Sequence, residues 1–169
     1  MLINIDFNYE KWYNIYVVEG VIMKWALAQL YKFGKTPFNF TGEYDFHDYI
    51  ENIDDILDIS LIKVEGVGRN IVDNRYSFDL HITGVLTLEC ARTLDPVLYP
   101  IDLHVVEEFD TEDDGEVNLI EKQTIDLKNV IWENVYLEKP MRIFKEGTEE
   151  YHNDVHELEK FYNDQDDDK

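Results

Sequence analysis

From Tyr76 to Cys90 the chain alternates apolar and polar residues. Tyr76, Phe78, Leu80, Ile82, Gly84, Leu86, Leu88 and Cys90 share one parity, and Ser77, Asp79, His81, Thr83, Thr87 and Glu89 the other; only Val85 breaks the pattern. Successive side chains of a strand point to opposite faces. The spacing therefore predicts one long strand with a single buried face, bent at Gly84, with Cys90 directed toward the core. "TLDP" then turns the chain, and Val97, Tyr99, Ile101, Leu103 and Val105 repeat the alternation on the way back. Upstream, "SLIKVEGVGR" reads as another strand and "DNR" as its turn. Phe38, Phe40, Tyr44 and Phe46 predict a further strand with one solvated face. Sequential strands joined by short turns imply an antiparallel sheet.

Helical spacing is rarer. In "MKWALAQLYKFGK", Trp25, Ala26, Leu27 and Leu30 suit a short amphipathic helix, or a strand leading into one, stopped by Gly34 and Pro37. "ENIDDILDIS" reads as a turn or short helical segment with its acids outward. The main helix is predicted in "DLKNVIWENVYLEKP", with Asp126 as cap, Val130, Ile131, Val135 and Leu137 on its apolar face, and Pro140 as terminator. Beyond Lys145 the chain is acidic, and Tyr151, Val155, Leu158 and Phe161 fall at helical spacing. Such a stripe either folds back on the domain or docks a partner, and packing is the plainer of the two. The predicted fold is α+β: a curved antiparallel β-sheet with one main packed helix and an acidic, partly mobile C-terminal tail. Three segments are expected: an N-terminal extension over 1–22, a domain over 23–144, and the tail over 145–169.

Charge changes the picture more than any single motif. Against 15 Lys and Arg stand 37 Asp and Glu, a formal net charge of -22. Such a surface repels phosphate backbones, which argues against a broad nucleic-acid face, and it speeds encounter with a basic partner. The bland alternative is that the acid serves solubility alone. With 44% apolar residues the chain has material for one core. One cysteine permits no internal disulfide, no stretch is apolar enough to span a bilayer, and residues 1–22 lack the pattern of a secretion signal. A soluble cytoplasmic protein without membrane contact is expected.

Candidate chemistry is thin. Cys90 as a nucleophile needs a thiolate and an activating base. Its parity points the sulfur inward, where a neutral thiol is favoured, so it reads as a small buried side chain. Zinc would need companions that a lone cysteine does not have. "DTEDDGEVNLIE", residues 110–121, nearly fits the calcium loop of an EF-hand, with Asp110, Glu112, Asp114, Gly115 at the turn and Glu121 at the end. Glu112 is longer than the usual ligand, the preceding segment alternates as a strand, and no second hand follows. This loop supports the alternative function, a calcium- or metal-responsive interaction module. His152 and His156, with Glu149 and Glu159 nearby, make a second weak metal set that lacks a third strong ligand. His47, His81 and His104 read as isolated on the polar faces of strands. With no phosphate-cradling glycines, no serine elbow and no isolated carboxylate pair, neither catalysis nor a cofactor is expected.

The succession "MKWALAQL", then "GVLTLECARTLDPVLYPIDLHVVEEF", an acidic loop and "IDLKNVIWENVYLEKPM" resembles the YceD family, described as large ribosomal RNA subunit accumulation proteins. The likeness runs from Met23 to Met141. Its core is Cys-x-Arg-(Cys or Thr)-Leu, here Cys90, Arg92, Thr93 and Leu94, and a second block matches Asp126, Leu127, Glu133 and Pro140. Many relatives carry a second Cys where this chain has Thr93, so a metal or redox role for such a pair does not transfer. Residues 1–22 precede the usual family start and Met23 resembles it, so translation is expected to begin there. Mass spectrometry of the native protein tests this. The resemblance implies a non-enzymatic role in large-subunit assembly. The acidic charge suits the holding of a basic large-subunit ribosomal protein or a pre-50S particle. Arg92, Thr93, Asp95 and Glu133 are the expected partner contacts, Arg92 first; its structural alternative is an ion pair with Asp95 or a neighbouring acid.

Overall fold

The computed structural model describes residues 23–112 and 115–148. The expected N-terminal extension and the tail stripe with His152 and His156 lie outside the described residues. The elements begin with β1 (Lys24–Ala26), α1 (Leu27–Leu30), β2 (Phe38–Tyr44) and α2 (His47–Ile50). Then come β3 (Ile56–Ile59), β4 (Ile62–Val72), β5 (Arg75–Glu89) and β6 (Pro96–Asp110). β7 (Asn118–Leu119), β8 (Thr124–Asp126) and α3 (Lys128–Glu138) complete the described chain.

The mixed α+β class stands. The main sheet is open, with strands in the order β2-β4-β5-β6-β7 and β3 paired to the end of β5 that β4 leaves free. Neighbours are antiparallel, apart from a short parallel pairing of β6 with β7. β1 and β8 form a separate two-stranded sheet. The buried face predicted from Tyr76 is largely realised: Tyr76, Phe78, Leu80, Ile82, Leu86, Leu88 and Cys90 are all buried. Ser77 is buried as well, against its parity. Gly84 permits a close approach, because a Cβ there would collide with Ile62 Cδ1.

Two sequence expectations change. "ENIDDILDIS" is not wholly turn and helix, since its second half is β3, with Ile56 and Ile59 buried on either side of a bulge. The main helix starts at Lys128, with Leu127 rather than Asp126 at the cap position. Asp126 still serves the helix start, as its Oδ1 accepts the Lys128 N–H at 3.0 Å. α3 buries Val130, Ile131 and Val135 in the common core, and Trp132 packs against Phe46.

Candidate partner-binding site

β5 ends at Glu89, and the family-like residues follow in a tight turn. The Cys90 N–H donates to the Asp95 carbonyl at 2.9 Å and the Leu94 N–H to the Cys90 carbonyl at 3.0 Å. Leu94 has φ 60, the left-handed region that costs a branched side chain about 1–2 kcal/mol. That conformation leaves its side chain 65% exposed.

Pro140 ends α3, and the segment over 141–148 returns across this turn. The Ala91 N–H donates to the Ile143 carbonyl at 2.9 Å, and the Lys145 N–H to Cys90 Sγ at 3.3 Å. The Lys145 ammonium meets Asp95 Oδ2 at 3.0 Å, and Arg92 donates to the Thr148 carbonyl. The ion pair at the Asp95 carboxylate is thus made by Lys145, from the returning segment. The Lys145 ammonium holds the Asp95 carboxyl below the usual carboxylate range.

Cys90 is buried, as its parity required, but its surroundings are not apolar. Thr93 donates from its hydroxyl, and the Thr93, Arg92 and Lys145 N–H groups add to it, pulling the thiol down to about 6 against the upward push of burial. Sequence reasoning missed this set, because Lys145 arrives from 55 residues away.

The other expected residues divide. Leu127 is fully buried, and Asp126 pairs with the Lys24 ammonium at 3.3 Å while accepting the Lys128 N–H at the start of α3. Glu133 is exposed on α3, five residues before the helix ends at Glu138. Exposed apolar residues lie on the turn and on the elements that adjoin it, among them the motif's own Leu94. Leu94 lies on the turn and Leu98 (71% exposed) on the adjoining start of β6. Leu137, expected on the apolar face of α3, is instead exposed on its last turn, and Met141 (97%) and Phe144 are exposed on the returning segment.

The calcium-like loop is built differently from an EF-hand. Strand β6 enters it, and the Ile120 N–H donates to the Asp110 carbonyl at 2.7 Å. Glu121 opens a tight turn in which Lys122 and Gln123 are both left-handed and Thr124 closes onto the Glu121 carbonyl. Asp114 lies outside the described residues.

No helix among the described residues is long and apolar enough to cross a membrane. The family description "Large ribosomal RNA subunit accumulation protein YceD" matches residues 78–169, beginning on β5 and taking in the whole turn. The uncharacterized protein YlbN of Bacillus subtilis (strain 168) is 36% identical over 133 residues, covering 76% of this chain and 77% of the relative. No solved structure matches. The chain belongs to the YceD family.

Proposed function

We propose that this protein is a non-enzymatic cytoplasmic factor that supports accumulation of large-subunit ribosomal RNA. In this reading it holds a basic ribosomal protein, or an assembly intermediate that displays one, at the Cys90–Asp95 turn. Family membership carries the ribosomal part of this reading. The partner's chemistry follows from a net charge of -22, which disfavours a wide grip on RNA and favours a cationic protein. The exposed Leu94, Leu98 and Met141 beside the turn supply the apolar anchors that charge alone lacks. Arg92, Thr93 and Asp95 act chiefly by fixing the turn that presents Leu94.

The test is disruption of the gene in the source organism, with large- and small-subunit rRNA quantified together. A fall in the large-to-small ratio, restored by the wild-type gene, supports the role. An unchanged ratio in slow- and fast-growing cells sinks it.

A further inference from the structure

The outer face of the main sheet brings together side chains that the sequence left scattered. In the β5–β6 register His81 faces His104 and Thr83 faces Asp102. Residues two apart on a strand share a face, so His81, His104 and Asp102 stand together on the side away from the core. The two imidazoles stack with centroids 4.1 Å apart and planes 7° from parallel. His81 Nε2 lies 2.7 Å from Asp102 Oδ1, and one ligand atom from each of the three residues lies within 4.8 Å of the others. Glu65 of β4 is the register partner of His81 on its other side. Glu65 and His81, with Thr41 and Asp79, line an open depression of about 500 Å³.

We propose that His81, Asp102 and His104 bind a divalent transition-metal ion of the zinc class. Two imidazoles and one carboxylate suit Zn²⁺, Co²⁺, Ni²⁺ or Cu²⁺, whereas Ca²⁺ and Mg²⁺ prefer oxygen alone. Tetrahedral zinc with bonds of about 2.0–2.1 Å needs ligand atoms about 3.3 Å apart and lone pairs that converge, so binding turns the two rings out of their stack, a rotation open to partly exposed side chains. The strands need not move, since the longest hydrogen-bonded ladder of the sheet already holds the three residues in register. The excess negative charge raises the local cation concentration. The competing view is that the cluster only stabilises the hairpin, through ring stacking and a His–Asp pair.

The experiment titrates Zn²⁺ into the chelator-stripped full chain by calorimetry, in millimolar Ca²⁺ to occupy carboxylate-only sites. The wild type should bind with a histidine-dependent isotherm, and Zn²⁺ should raise its melting temperature. His104→Gln and Asp102→Asn should each weaken binding by about tenfold or more. Because these side chains are on the surface, circular dichroism without metal should match the wild type. The double variant His152→Gln/His156→Gln should bind like the wild type. No binding by the wild type overturns the proposal, as does wild-type affinity in a His81→Gln/His104→Gln chain. Loss confined to the His152/His156 variant would assign the ion to the tail instead. None of these readouts depends on the ribosomal role.

Discussion

Leu94 holds an unfavourable left-handed backbone, although its side chain gains nothing from burial there. Glycine would relieve that strain, so Leu94→Gly should leave the fold intact and stabilise it by about 0.5–1 kcal/mol in denaturant unfolding. The same variant should capture less of the ribosomal partner. A destabilised Leu94→Gly would instead make the leucine structural. Four steps back in the chain, Cys90 should absorb near 240 nm as a thiolate with a midpoint of about 6. Thr93→Val removes the leading donor and should move that midpoint upward. The folded value lies below the ordinary thiol value of 9.0, so the unfolded chain binds more protons between the two. This contribution to stability is full above about pH 9, and it is lost as pH falls through about 6. Cys90→Ala should flatten stability across that window. His47 has the opposite sign. It bridges Asp45 at 2.6 Å and Asp58 at 3.1 Å, and these hydrogen bonds raise its pKa. Its contribution is therefore present below the ordinary histidine value and lost as pH rises through the raised one, which an imidazole NMR titration would follow.

At the scale of elements, β5 and β6 were legible because one buried face imposes a strict period of two, and a slip of one residue would expose Phe78, Leu80 and Ile82 together. β3 was hidden because it is short, bulged and flanked by acids, so only its pairing with Leu86 and Leu88 makes it a strand. β7 and β8 are too short to show any period. The same limit concealed the chemistry. His81 and His104 lie far apart in the chain, and only the register of the hairpin turns two isolated histidines into a stacked pair. The glycines of "SLIKVEGVGR" carry a packing meaning invisible in composition. The Phe40 ring lies directly over Gly66 and the Phe38 ring over Gly68, where a Cβ would strike the ring atoms. Gly66→Ala should therefore destabilise by about 1–3 kcal/mol through overpacking, rather than gain from reduced chain entropy. Ile131→Ala, at a fully buried position on α3, should cost about 2–5 kcal/mol. Denaturant midpoints measure both.

For the whole molecule, charge and apolar exposure make separable predictions about the partner. A contact steered by a net charge of -22 should weaken with salt, because screening over about 8–10 Å at 0.1–0.15 M removes long-range attraction first. An apolar anchor at Leu98 and Met141 should be insensitive to salt and sensitive to truncation. The informative experiment is capture of large-subunit components at low and moderate salt with three baits: wild type, Arg92→Ala and Leu98→Ser/Met141→Ser. Arg92 ties the returning segment to the turn through the Thr148 carbonyl, so its loss should loosen presentation and reduce capture at both salts. The double serine variant should retain weak low-salt capture and lose the moderate-salt fraction. Equal capture by all three baits would move the contact away from the turn, to acidic surface elsewhere on the chain. Charge would then be the determinant of binding, and the exposed leucines would be incidental.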